Sequence, residues 1–201
     1  METKKNENVA KLVGKITFAK KVWAFEDRVI YEGYLQVCRD SGYIDLIPIL
    51  FDKDIAVDSF VQITGQFRSR DIPKEDGTLK VQLYVYVRDI TVIEDDCAYS
   101  NHIVMSGYIC KKPILRTTPT GKQITDLLVA CNYSKDKTAY IPVIVWGREA
   151  RKAGKYSVGT PIQLDGRIQS RKYTKNINNG EEIKEFIAYE LSADHVTVID
   201  N

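Results

Sequence analysis

The chain has 201 residues, 44% of them hydrophobic, and a formal net charge of +2, which is enough apolar material for one large or two small domains and excludes a disordered chain. No apolar run approaches the ~18 residues that cross a bilayer, and Met1-Glu2-Thr3-Lys4-Lys5 is not followed by an apolar signal core, so a cytoplasmic protein with no membrane partner is expected. Four cysteines and two histidines lie scattered without metal-ligand spacing, so neither a metal nor a cofactor is expected.

In chain order, the first element is Asn8-Val9-Ala10-Lys11-Leu12-Val13-Gly14, a strand by its alternation. It is met again as Asn101-His102-Ile103-Val104-Met105-Ser106-Gly107. Ile47-Pro48-Ile49 recurs as Ile141-Pro142-Val143, Gly65-Gln66-Phe67-Arg68-Ser69-Arg70 as Gly166-Arg167-Ile168-Gln169-Ser170-Arg171, and Ile90-Thr91-Val92-Ile93 as Val196-Thr197-Val198-Ile199. Four landmarks in one order make an internal repeat, which divides the chain into residues 1–96 and 97–201. The first unit carries a net −3 and the second a net +5, so the basic half is the second.

Each unit reads as about five short strands rich in Val, Ile, Leu, Tyr and Thr. Asp76-Gly77 and Asn179-Gly180 mark the hairpin after each landmark strand, and the stretches 71–77 and 173–180 read as long polar loops. Arg148 to Ala153 predicts a short helix that stops near Gly154. In the first unit Asp54-Ile55-Ala56-Val57-Asp58 offers a shorter one. Five strands with a small helix between the third and fourth is the OB-fold layout, so the expected fold is all-β, two tandem five-stranded OB barrels lying side by side.

Catalytic signatures are missing. Gly121-Lys122 and Gly154-Lys155 are followed by Gln123 and Tyr156 rather than Ser or Thr, so neither is a phosphate loop. No nucleophile elbow or paired-histidine helix is present, and an enzyme is not expected. What does recur is a strand face of Arg167, Gln169, Arg171 and Tyr173, and in the first copy Gln66, Arg68 and Arg70. Tyr140, Pro142, Ile144 and Trp146 share one strand parity while Val143 and Val145 take the other. If the valines fill the barrel, Tyr140 and Trp146 face outward, where flat bases stack on rings and cations meet phosphates. Burial of these two rings against the neighbouring barrel or a second subunit is the alternative.

Further landmarks of the second unit are Asn101 with Gly107, Lys112-Pro113-Ile114-Leu115-Arg116-Thr117-Thr118-Pro119-Thr120-Gly121-Lys122, Tyr140 through Gly147, and Asp165 through Tyr173. Through these, in order and spacing, the chain from Asn101 to Asp200 resembles the bacterial single-stranded DNA-binding protein family. The resemblance implies single-stranded DNA as partner, bound non-catalytically and with little sequence preference in replication, recombination or repair. Stacking would fall to Tyr140, Trp146, Tyr173 and Tyr133, and phosphate contacts to Arg116, Lys122, Arg148, Arg167, Arg171, Lys172 and Lys175. Trp23, Arg68 and Arg70 are the candidate contacts of the first unit, whose aromatics Trp23, Phe25, Tyr31, Tyr34, Tyr43 and Phe51 suit either a further stacking platform or packing between barrels. Two-domain members of the family form dimers with four barrels, so a homodimer is implied, with the edge of a first strand as one place to pair. Many members end in an acidic tail that recruits replication enzymes; this sequence closes on Val198-Ile199-Asp200-Asn201, so recruitment by such a tail is not expected. A primosome-like protein adaptor with weak nucleic-acid binding is the alternative function.

Overall fold

The computed structural model describes residues 7–26, 28–73, 77–94, 98–177 and 182–199. The first barrel is built from β1 (Asn8–Phe25), β2 (Arg28–Cys38), β3 (Ile44–Phe51), β4 (Phe60–Pro73) and β5 (Leu79–Val92). β1 pairs antiparallel with β2 and β4, β2 with β3 and β4 with β5, and a parallel contact of β3 with β5 closes the ring. The second barrel repeats this plan with β6 (Ser100–Ile109), β8 (Gln123–Ser134), β9 (Lys137–Trp146), β10 (Pro161–Ile177) and β11 (Glu182–Val198), β9 and β11 being the parallel pair. A four-residue strand, β7 (Ile114–Thr117), is added to the edge of β8. The expected tandem OB-fold is therefore present.

Alternation explains what is inside. Ile162, Leu164 and Ile168 of β10, and Val143 and Val145 of β9, are buried, as are Ile47, Ile49, Ile63 and Phe67 in the first barrel. These join one apolar cluster that runs through both barrels.

The repeat landmarks have a shared physical job. The Asn101 side chain donates to the Ile168 carbonyl at 2.7 Å and accepts from the Ile168 amide at 2.9 Å. Asn8 does the same at Phe67, at 2.8 and 2.9 Å. Each asparagine thus satisfies backbone groups just beyond a break in strand register, at Thr64/Gly65 and Asp165/Gly166. The glycines follow from the same crossing, because a Cβ at Gly65 or Gly166 would lie 2.5 Å from the Tyr86 carbonyl oxygen or 2.1 Å from that of Ser192.

A short helix, α1 (Gly147–Ala153), connects β9 to β10. Glu149 in its first turn and Arg151 and Lys152 in its last suit the helix dipole, and buried Ala150 accepts a 2.7 Å hydrogen bond from Thr125. The shorter stretch expected to be helical at 54–58 is not; it runs as irregular chain and turn, with Asp58 at φ 72°. Five residues bounded by acidic groups are too few to hold a helical nucleus.

The long polar loops are also different from expectation. β10 continues through Ile177 and pairs with β11 from Glu182, so 173–177 is one half of a two-stranded arm, with Tyr173 opposite Phe186. β4 likewise runs to Pro73 opposite Leu79. Solvated ribbons need no apolar alternation, which is why their composition reads as loop. Asp76 and the Asn179-Gly180 turn lie outside the described residues.

Among the described residues the barrels are joined at several places. First, β1 pairs antiparallel with β6, Asn8 opposite Met105 and Leu12 opposite Asn101, making one continuous sheet. The first-strand edge expected to be available to a second subunit is therefore occupied within the chain. Second, the start of β3 meets β10: fully buried Asp45 accepts from the Ser170 amide at 2.6 Å and its hydroxyl at 2.8 Å. At the corresponding place in the other direction, the Tyr140 amide at the start of β9 donates to the Ser69 hydroxyl at 2.9 Å. The repeated Ser-Arg exit of the landmark strands is thus the docking point for the opposite barrel. Among the described residues no helix is long and apolar enough to cross a membrane.

Candidate nucleic-acid interface

The outer face of the second barrel and the β2–β3 turn of the first enclose a groove of about 870 Å³. It gathers Arg116 and Lys122 from the β7–β8 hairpin, Trp146 from the end of β9, and Arg167, Arg171 and Lys172 from β10. Parity explains most of this: Ile144 and Trp146 leave β9 on the side opposite Val143 and Val145, and Arg167 and Arg171 leave β10 opposite Ile168, whereas Lys172 has the parity of Ile168 and reaches the groove where β10 passes beyond the barrel. Trp146 is 36% exposed and its indole N–H donates to the buried Ser192 hydroxyl at 3.0 Å, which fixes the ring on the groove floor.

Every cation there for which a salt bridge is seen already faces a carboxylate. Arg116 reaches both oxygens of Asp126, at 2.5 and 3.1 Å, and this bond raises its pKa. Arg171 lies 3.8 Å from Glu190, Arg167 3.8 Å from Asp194, and Lys172 3.0 Å from Glu185. The 3.8 Å contacts are longer than a hydrogen bond. Glu190 is 4% exposed and bonded by Gln169 at 2.8 Å; burial pushes its carboxyl above the ordinary range.

Other expected contacts fall outside this groove. Arg148 opens α1 and lines a separate shallow hollow with Arg151, Lys152, Lys155 and Tyr156. Tyr140 is 52% exposed at the far end of β9, beside Ser69. Tyr173 stacks on Phe186 along the arm, ring centroids 5.6 Å apart, with Arg171 5.7 Å from its ring. Lys175 pairs with Lys184 on the arm; its side chain lies outside the described residues.

Tyr133 is partly buried against the core, and the Arg68 guanidinium lies 4.3 Å from its centroid and 4.1 Å from that of Tyr86. Arg68 is thus held between the rings of both barrels and is bonded to Gln66. Arg70 bonds Gln82 at 2.6 Å and Glu32 at 2.9 Å and lies over Tyr84. Both first-unit arginines are therefore engaged within the protein. Trp23, 49% exposed, stands on the β1–β2 ribbon away from the groove.

The first barrel contributes two residues to the groove, Arg39 and Tyr43, from the turn between β2 and β3. Tyr43 is one of the first-unit aromatics that the sequence offered either to stacking or to packing between barrels, whereas no motif singled out Arg39. The available signal was Asp45, an acid at the inward parity of Ile47 and Ile49, which demands a partner; Arg39 supplies it through bonds of 2.6 and 2.7 Å.

The family model described as the single-strand binding protein family matches residues 100–199. A single-stranded DNA-binding protein of Clostridium tetani is 36% identical over 98 residues, a stretch covering 45% of this chain and 68% of the relative. The chain belongs to the single-strand binding protein family. Single-stranded DNA-binding protein 2 of Streptococcus agalactiae is 34% identical over 83 residues, covering 38% of this chain and 63% of its own. The family model falls on the second barrel. The first barrel finds its counterpart in the fold: the wild-type single-stranded DNA-binding protein of Thermus aquaticus superposes with a TM-score of 0.72 over 98% of this chain and 94% of its own, at 17% identity.

Proposed function

We propose that this protein binds single-stranded DNA without catalysis and with little sequence preference, in replication, recombination or repair. The observation that carries this reading is the groove where Trp146 shares one wall with Arg116, Lys122, Arg167, Arg171 and Lys172. A fixed indole offers a π face to any base, worth roughly 1–3 kcal/mol, and the surrounding cations offer a salt-sensitive phosphate track. Family membership and the names of the relatives support the same ligand.

Titration with oligothymidylate at low salt tests it. Binding should quench tryptophan fluorescence, weaken steeply with added salt, and fall about tenfold or more in Trp146→Ala. Absence of binding by both fluorescence and gel shift overturns the reading and favours the protein-adaptor alternative.

For the assembly we propose a homodimer presenting four barrels. Because β1 and β6 already pair with each other, the second chain must dock through another surface. Sedimentation equilibrium should return twice the 22.9 kDa chain mass; a monomer mass at micromolar concentration rejects this.

A further inference from the structure

The first barrel's own outer face is filled, Arg68 lying between Tyr86 and Tyr133 and Arg70 on Glu32 and Gln82. Its β2–β3 turn, in contrast, projects into the groove of the second barrel. That turn is rigid. The Arg39 amide donates to the Tyr43 carbonyl at 2.9 Å and the Gly42 amide to the Arg39 carbonyl at 2.8 Å, with Gly42 at φ 80°. Arg39 is anchored by both oxygens of buried Asp45 and by the Ser170 carbonyl at 3.1 Å. Tyr43 carries the Arg39 guanidinium 4.5 Å from its ring centroid yet is 40% exposed. It lines the same groove as Trp146 and Lys172.

We infer that Tyr43, backed by Arg39, is a second base-stacking platform of the groove, so that each chain presents one composite site to which both barrels contribute. This rests on the single-stranded DNA reading above. The chemistry is that of Trp146 repeated on the part of the groove lining that the first barrel supplies: a flat ring held by a neighbour that keeps its orientation, with a cation beside it for the phosphate of a stacked nucleotide. The strand then touches the first barrel through its turn and not through the face that matches the second barrel's binding surface.

The test compares Tyr43→Ala, Tyr43→Phe and Trp146→Ala in the full chain, titrated with oligothymidylate. Tyr43→Ala should lose roughly tenfold in affinity, while Tyr43→Phe, which keeps the ring, should bind as the parent does. If Tyr43→Ala keeps full affinity while Trp146→Ala loses it, the composite site is overturned and the DNA reading stands. If Tyr43→Phe loses as much as Tyr43→Ala, the ring is not the contact and the inference also falls. If the parent protein does not bind, the underlying reading itself has failed. A second readout is independent of any variant: irradiating the parent with an iodouracil-substituted oligonucleotide should give an adduct at Tyr43, whereas adducts confined to the second barrel reject the inference.

Discussion

At the scale of residues, the groove is a set of cations kept in check by carboxylates. Glu190 is the one with the most leverage, because it sits buried beneath Arg171. Its pKa is raised on folding by burial, so this group favours the folded state below the ordinary carboxylate range and loses that contribution as the pH rises through the folded-state value. Glu190→Gln keeps a hydrogen-bonding partner for Gln169 and removes the buried charge. Thermal unfolding at neutral pH should therefore show the variant more stable, by roughly 2–4 °C if the gain is about 1 kcal/mol, and the difference should vanish in acid. The same variant should bind oligothymidylate more tightly, since Arg171 is released to a phosphate. Trp146, Arg167 and Arg171 were legible in the sequence because alternation decides which side of β9 and β10 they leave; Arg116, Lys122 and Lys172 were named through the family resemblance. The setting of Arg68 was not legible: it looks available on its own strand, and only the juxtaposition of the barrels brings it between two rings.

At the scale of elements, the two asparagines carry more than their exposure suggests. Asn101 bridges β6 to the backbone of β10 immediately after the register break at Gly166. Asn101→Ala leaves one amide and one carbonyl without their partner, which costs on the order of 2 kcal/mol. The expected drop in unfolding midpoint is roughly 4–8 °C for a chain of this size, checked by calorimetry, and a change below 1 °C would deny the asparagine this role. The repeat announced these positions by sequence, whereas the arms beyond them were hidden. Strands β4 and β10 run past the barrel into solvent, where polar cross-strand pairs are tolerated on both faces and no period survives to be read. The first unit forms no helix at Asp54 to Asp58 for a different reason: Ile55 packs against the core, but five residues are too few to hold a helical nucleus.

At the scale of the whole molecule, the buried Asp45 connects the joint to the groove. It is bonded to Arg39 within its own barrel and to Ser170 of the other. Asp45→Ala removes the acceptor for all of these donors and should cost about 3–5 kcal/mol. Because Arg39 and Tyr43 share its turn, affinity for oligothymidylate should fall together with stability, and denaturant titration alongside binding separates this variant from Tyr43→Ala, which should lose affinity alone. The tandem plan of the chain was plain from its landmarks, but the way the barrels lean on one another was not. Ser69 and Ser170 look like ordinary strand residues until the third strand of the opposite barrel is placed against them.

The β1–β6 pairing has a bearing on the company this chain can keep. Along residues 10–13, β1 has β6 on one side and β4 on the other, so that stretch of its backbone is paired on both sides from within the chain. A one-barrel relative seeking to add its own first strand there finds no open rung. Fusion of two barrels into one polypeptide thus insulates the protein from subunit exchange along that edge, and dilution cannot part the two halves.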